Sequence, residues 1–221
     1  MGATNDTIGN SASSSSSIRF VWRGLLLATA AASVFVFVSS AVPYLLLQES
    51  ALRRFDRRRA WIVVHVATAS FVLLSGPFQL WLGSTRKLPQ FHRRLGFAYI
   101  ASISVSSVAA FYLAINIEGP FWEGAGLFGA GCVWVITTSM GIMSLRRREY
   151  VHHQEWMVRN YIATLSFVAF RVMILIGKEL KMGSWDDRLI FASWASWVVP
   201  LLIAEVVLRK QRTEAQRIAS S

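Results

Sequence analysis

In a chain of 221 residues, 54% hydrophobic and 16% charged residues give more apolar surface than a soluble domain of that length needs. A net charge of +11 could suit nucleic acid, but the Lys and Arg residues cluster briefly between apolar runs, as loops facing anionic headgroups do, which argues against that partner. Cys132 is the single cysteine, so no intrachain disulfide can form.

Residues 1–17 end in a serine run and read as a disordered tail, because such a composition cannot offset its ordering entropy. Asp6 stands where N-myristoylation needs Ser or Thr. The first span, 24–47, follows Arg19 and Arg23; Ser39-Ser40-Ala41 imitates a signal-peptidase site, but the apolar run continues past it, so the helix is expected to stay uncleaved. A basic loop over 53–59 precedes the second span, 60–82, which contains His65, Gly76, Pro77 and Gln79. Pro89 breaks the next loop, and His92-Arg93-Arg94-Leu95-Gly96 leads into a third span, 95–117. Glu118-Gly119-Pro120 reads as a tight turn before span four, 124–145.

Arg146-Arg147-Arg148 then introduces His152-His153-Gln154-Glu155-Trp156-Met157-Val158-Arg159-Asn160, an unusually polar doorway to the fifth span, 156–176. The sixth span, 189–208, closes a membrane domain over 18–212, with 213–221 as a C-terminal tail. The expected fold is all-α: a polytopic transmembrane bundle of six spans around a four-helix core. Six spans put both termini on one face, flanked by thirteen Lys and Arg residues against eight on the other, so positive-inside predicts cytoplasmic termini in a plasma (inner) membrane.

With that topology His92 and His153 share one membrane level, with Gln79 and Glu205 near it. On the fifth span Asn160, Thr164 and Phe167 follow the helical period from His153, and Arg171 lies eighteen residues on, about five turns, at the opposite depth. Ionisable groups exposed to lipid cost roughly 2.5 kcal/mol or more, so these stripes should face inward, and His65 is expected to meet Arg171 at the far level. His152 competes with His153 for the inward position. Trp156 reads as an interfacial anchor, and Glu205 as an intrahelical partner of Arg209.

His65, Gly76-Pro77-Phe78-Gln79, His92 to Gly96, His153 to Tyr161 and Arg171 together resemble the spaced pattern of a bacterial family of predicted membrane proteins described only as a domain of unknown function. The resemblance spans about residues 60–177 and implies a four-helix core with histidines at helix ends; it carries no activity.

Three readings follow for the polar groups. In the first, His92 and His153 ligate a cofactor for electron transfer, a b-type haem or a metal ion, with His65 and Arg159 as further contacts. Six-span cytochromes with two haems are a loose analogy, but they place histidine pairs at two levels, and here the far level holds only His65. In the second, His92, His153 and Arg159 receive a small anionic or lipidic ligand, helped by the positive ends of the third and fifth helices. In the third the residues are structural ties of a bundle whose partner is the lipid bilayer. No serine sits in a nucleophile elbow, so hydrolytic catalysis is not indicated.

Overall fold

A computed structural model describes residues 24–220 of the protein. The expected tail over 1–17 lies outside the described residues. Six helices are long and apolar enough to cross a membrane: α1 (Gly24–Leu45), α2 (Arg59–Thr85), α3 (Pro89–Ile115), α4 (Phe121–Arg146), α5 (Tyr150–Glu179) and α6 (Trp185–Ser220). The described residues contain no strand, and the chain is an integral membrane helix bundle, as its apolar runs require: in lipid each backbone polar group must be satisfied within its own helix. Large side chains such as Phe35, Phe97, Ile115 and Leu175 stand exposed on the outer surface, where hydrocarbon rather than water is the matching solvent.

Short connections make neighbours antiparallel. Helix α2 packs on α3, α3 on α4, α4 on α5 and α5 back on α2, which closes the four-helix core; α6 lies against α4 and α5, and α1 against α2. The segment expected as a basic loop, 53–59, folds instead as short helical turns, Glu49–Leu52 and Arg53–Arg58, before α2. Beyond residue 212 the chain continues as helix through 220. Ser184 and Asp187 cap the start of α6 reciprocally: the Ser184 amide donates to Asp187 Oδ2 at 2.8 Å and the Asp187 amide to Ser184 Oγ at 3.2 Å.

Two prolines are absorbed in different ways. Pro43 cannot donate to the carbonyl four residues earlier, and just before it α1 widens over Phe37–Ala41, with the Val42 amide reaching back five residues to Phe37. Pro77 in α2 frees the Leu73 carbonyl, and the Tyr161 hydroxyl of α5 donates to it at 3.3 Å. Gly76 makes that possible, since a Cβ there would lie 2.1 Å from the Tyr161 ring. The Gly-Pro pair is thus a socket for a tyrosine. The Ser33 hydroxyl of α1 lies 3.2 Å from the same phenol oxygen, which ties the first helix to the core.

The face where α1 begins and α6 ends is the near face, and α3 and α5 both start there. Left-handed Arg86 and Leu88, followed by Pro89 at the first turn, fix the entry of α3. Left-handed Arg148 does the same for α5.

Candidate histidine site at the near face

His92 is the fourth residue of α3 and His153 the fourth of α5. Because both helices start at the near face and run in the same direction, this puts the imidazoles at one depth, and they are electrostatic neighbours. His153 Nδ1 lies 2.8 Å from the Gly141 carbonyl of α4. A carbonyl only accepts, so Nδ1 carries a proton, and in the neutral imidazole the lone pair is then on Nε2. His92 packs its ring over the last turns of α2, where a Cβ on Gly83 would lie 3.3 Å from its Cε1. Gln79 Nε2 donates to the His92 carbonyl at 3.1 Å, and a Cβ on Gly96 would lie 3.1 Å from that nitrogen. Glycines at 83 and 96 therefore let His92 and Gln79 lie close to helix backbone.

This cluster is incompletely satisfied. His92 Nδ1 and Gln79 Oε1 are buried without a hydrogen-bond partner, and so, on the side of α5 that meets α6, is Arg159 Nη1. Native interiors rarely leave such atoms unmatched, and they collect where a structure does something besides fold. The other nitrogens of Arg159 are engaged, Nε and Nη2 donating to Glu205 Oε2 at 3.1 and 2.7 Å; Nη1 has only a long ion pair with Glu155 at 3.9 Å, and the guanidinium lies 4.9 Å from the Trp156 ring centroid. Glu205 also accepts from Arg209 at 2.8 Å, the intrahelical pair read from the sequence, while Glu155 pairs with Arg212. A sequence cannot show that Arg159 reaches across to α6. His152 points away from the bundle and sits exposed, 3.6 Å from Glu149.

Asn160 belongs to a different arrangement about two turns deeper. It is fully buried; its Oδ1 accepts from the Tyr99 hydroxyl at 2.9 Å, and its Nδ2 donates to Thr138 Oγ1 at 2.8 Å and Thr137 Oγ1 at 3.2 Å. Trp134 Nε1 donates to Thr164 Oγ1 at 2.9 Å, and Thr164 in turn donates to the Asn160 carbonyl at 3.0 Å. Tyr99, Trp134, Thr137 and Thr138 were invisible as a group in the sequence, because they meet only when three helices pack.

The expected tie between His65 and Arg171 is not formed. His65 Nδ1 instead lies 3.1 Å from the Ser106 carbonyl and 3.0 Å from its hydroxyl, on α3, because Ser106 offers an acceptor at contact distance. Arg171 lies over the Phe167 ring of its own helix, 5.3 Å from the centroid. The ion pairs of the far face join the segment read as a basic loop to the tight turn and to Glu123, which the sequence did not single out: Arg58 is 4% exposed and pairs with Glu118 at 2.9 Å and with the Asn116 carbonyl, and buried Glu123 pairs with Arg54 at 3.4 Å. Two cavities, of about 280 and 190 Å³, lie away from the histidines, between α3 and α4 and between α5 and α6.

No curated protein and no solved structure matches the chain. A family model does match, over residues 62–208, so the unit extends beyond the sequence reading to include α6 and leaves α1 outside. The chain, with nearly all of its four-helix core and most of α6 inside that match, belongs to the family described as Predicted membrane protein (DUF2306), of unknown function.

Proposed function

We propose that the near end of the four-helix core is a histidine-ligated cofactor site of the b-type haem class, serving electron transfer, in a plasma (inner) membrane protein whose termini are cytoplasmic. The observation that carries this reading is the state of His153: its Nδ1–H is held by the Gly141 carbonyl, so Nε2 is presented as a ligand with fixed tautomer and ring orientation, next to a second imidazole at the same depth. The donor set favours haem over a lone ion. Among the described residues no three His, Cys, Asp or Glu side chains group together, as an ion held by protein donors alone would require, whereas the two imidazoles of His92 and His153 would suffice to hold a haem.

Such a group, when bound, supplies one-electron chemistry at a potential set by its ligands and surroundings. The chain's own part is to position and to tune. Gly141 orients His153, and Gln79 holds the backbone of His92. The N-termini of α3 and α5 add positive potential, and Arg93 and Arg94 add charge that suits acidic substituents. The alternative of an anionic ligand captured by Arg159 has less support, since Glu205 already takes two of its donors.

The test is an absorption spectrum of detergent-purified protein with a pyridine haemochrome assay. A Soret band lost in both His92→Ala and His153→Ala, with His152→Ala unchanged, is the expected result. Folded, monodisperse protein that stays colourless after expression with ample haem and after reconstitution with hemin overturns the proposal.

A further inference from the structure

Among the interactions above Arg171 makes only the contact with its own Phe167, and its setting is unusual for a charge in a membrane helix. It lies on the core-facing stripe of α5 that carries Asn160, Thr164 and Phe167, inside the apolar run that ends at Gly177. Eight residues separate it from the end of α5 at Glu179, about 12 Å along the axis. A snorkelling arginine would turn its head toward that end. Here the guanidinium lies back over Phe167, one turn toward the membrane centre. Its Nε is buried without a hydrogen-bond partner, and among the described residues no carboxylate pairs with it. His65, the polar group expected opposite, is bonded to Ser106.

An unpaired cation at that depth demands a counter-charge. The flanking side chains on α5, Phe167, Val168, Phe170, Val172 and Ile174, offer nothing to replace the water of a hydrated inorganic ion. An acid carried in by its own hydrocarbon tail avoids that cost. We infer that Arg171, with Phe167 beneath it, holds the acidic head of a membrane amphiphile: a fatty-acid carboxylate, or the phosphate of an anionic phospholipid, which offers the same acceptor chemistry. This site is at the other membrane depth from the histidine pair and does not depend on the haem reading.

The experiment titrates purified full-length protein in a neutral maltoside micelle with a fluorescent polyene fatty acid, read by energy transfer from the tryptophans. The alcohol of the same chain serves as control, and oleate, phosphatidylglycerol and sodium chloride as competitors. Saturable binding of the acid is expected, at least about tenfold tighter than the alcohol, the factor that one hydrogen bond to a charged group carries. R171Q should lose that difference and R171K should keep part of it. Displacement by oleate alone identifies a fatty acid, and displacement by phosphatidylglycerol identifies the phospholipid source. Equal binding of acid and alcohol by the wild-type protein overturns the inference even if R171Q fails to fold, as do an unchanged R171Q or displacement by chloride.

Discussion

Two polar clusters lie about two helical turns apart in the core, and they differ in how completely their atoms are matched. At Asn160 both side-chain heteroatoms have partners, and Tyr99, Thr138, Trp134 and Thr164 close the network around it. At the near face His92 Nδ1 and Gln79 Oε1 remain buried and unmatched. A saturated network stabilises one packing of three helices and leaves nothing over for a ligand. An unsaturated one costs stability, and a fold keeps it where the atoms have another use.

The largest effect should come from breaking the saturated side. Asn160→Leu removes the acceptor of Tyr99 and the donor to both threonines while leaving their partners buried, so we expect a loss of about 2–4 kcal/mol, read as a fall in detergent thermal unfolding temperature. Tyr99→Phe in the same background should then cost little, because its hydroxyl has already lost its partner. Next in size is Gly76→Ala. The added methyl would meet the buried Tyr161 ring, and overpacking of this kind costs about 1–3 kcal/mol. Tyr161→Ala should cancel the clash, leaving a double variant more stable than the sum of the two single changes predicts. Tyr161→Phe is milder, about 1 kcal/mol, since the ring still fills the socket and only the bond to the Leu73 carbonyl is lost.

These contrasts also mark what the sequence can carry. The six spans were legible from apolar run length, and the shared depth of His92 and His153 from counting topology, because each is a property of the chain in one dimension. Gly76-Pro77 was visible as a break but not as a socket, since its meaning depends on Tyr161, eighty-four residues away. Asn160 was visible as a polar oddity, yet its partners come from α3 and α4, and no period along α5 reveals them. The mistaken pairing of His65 with Arg171 had the same origin: equal depth was taken for contact, while lateral packing gave His65 to Ser106. Arg159 was read with an eye to an anion because its carboxylate partner, Glu205, sits on a helix whose docking side the sequence does not show.

The smallest expected effect bears most directly on the comparison. Gln79→Leu gives up one hydrogen bond to the His92 carbonyl but removes a buried oxygen with no partner, and His92→Leu replaces a half-buried imidazole whose Nδ1 is likewise unmatched. Replacing unsatisfied polar atoms by apolar ones of similar size is close to neutral, so each change should shift stability by less than about 1 kcal/mol in either direction. Both variants are measured on the thermal-unfolding scale used for Asn160→Leu, after haem extraction, so that ligand binding does not add to the difference. If His92→Leu costs as much as Asn160→Leu under those conditions, the near-face cluster is a structural tie like the one below it. A near-zero cost together with loss of the Soret band instead marks residues kept for chemistry, because a side chain that contributes nothing to folding and everything to the bound group has no structural reason to be there.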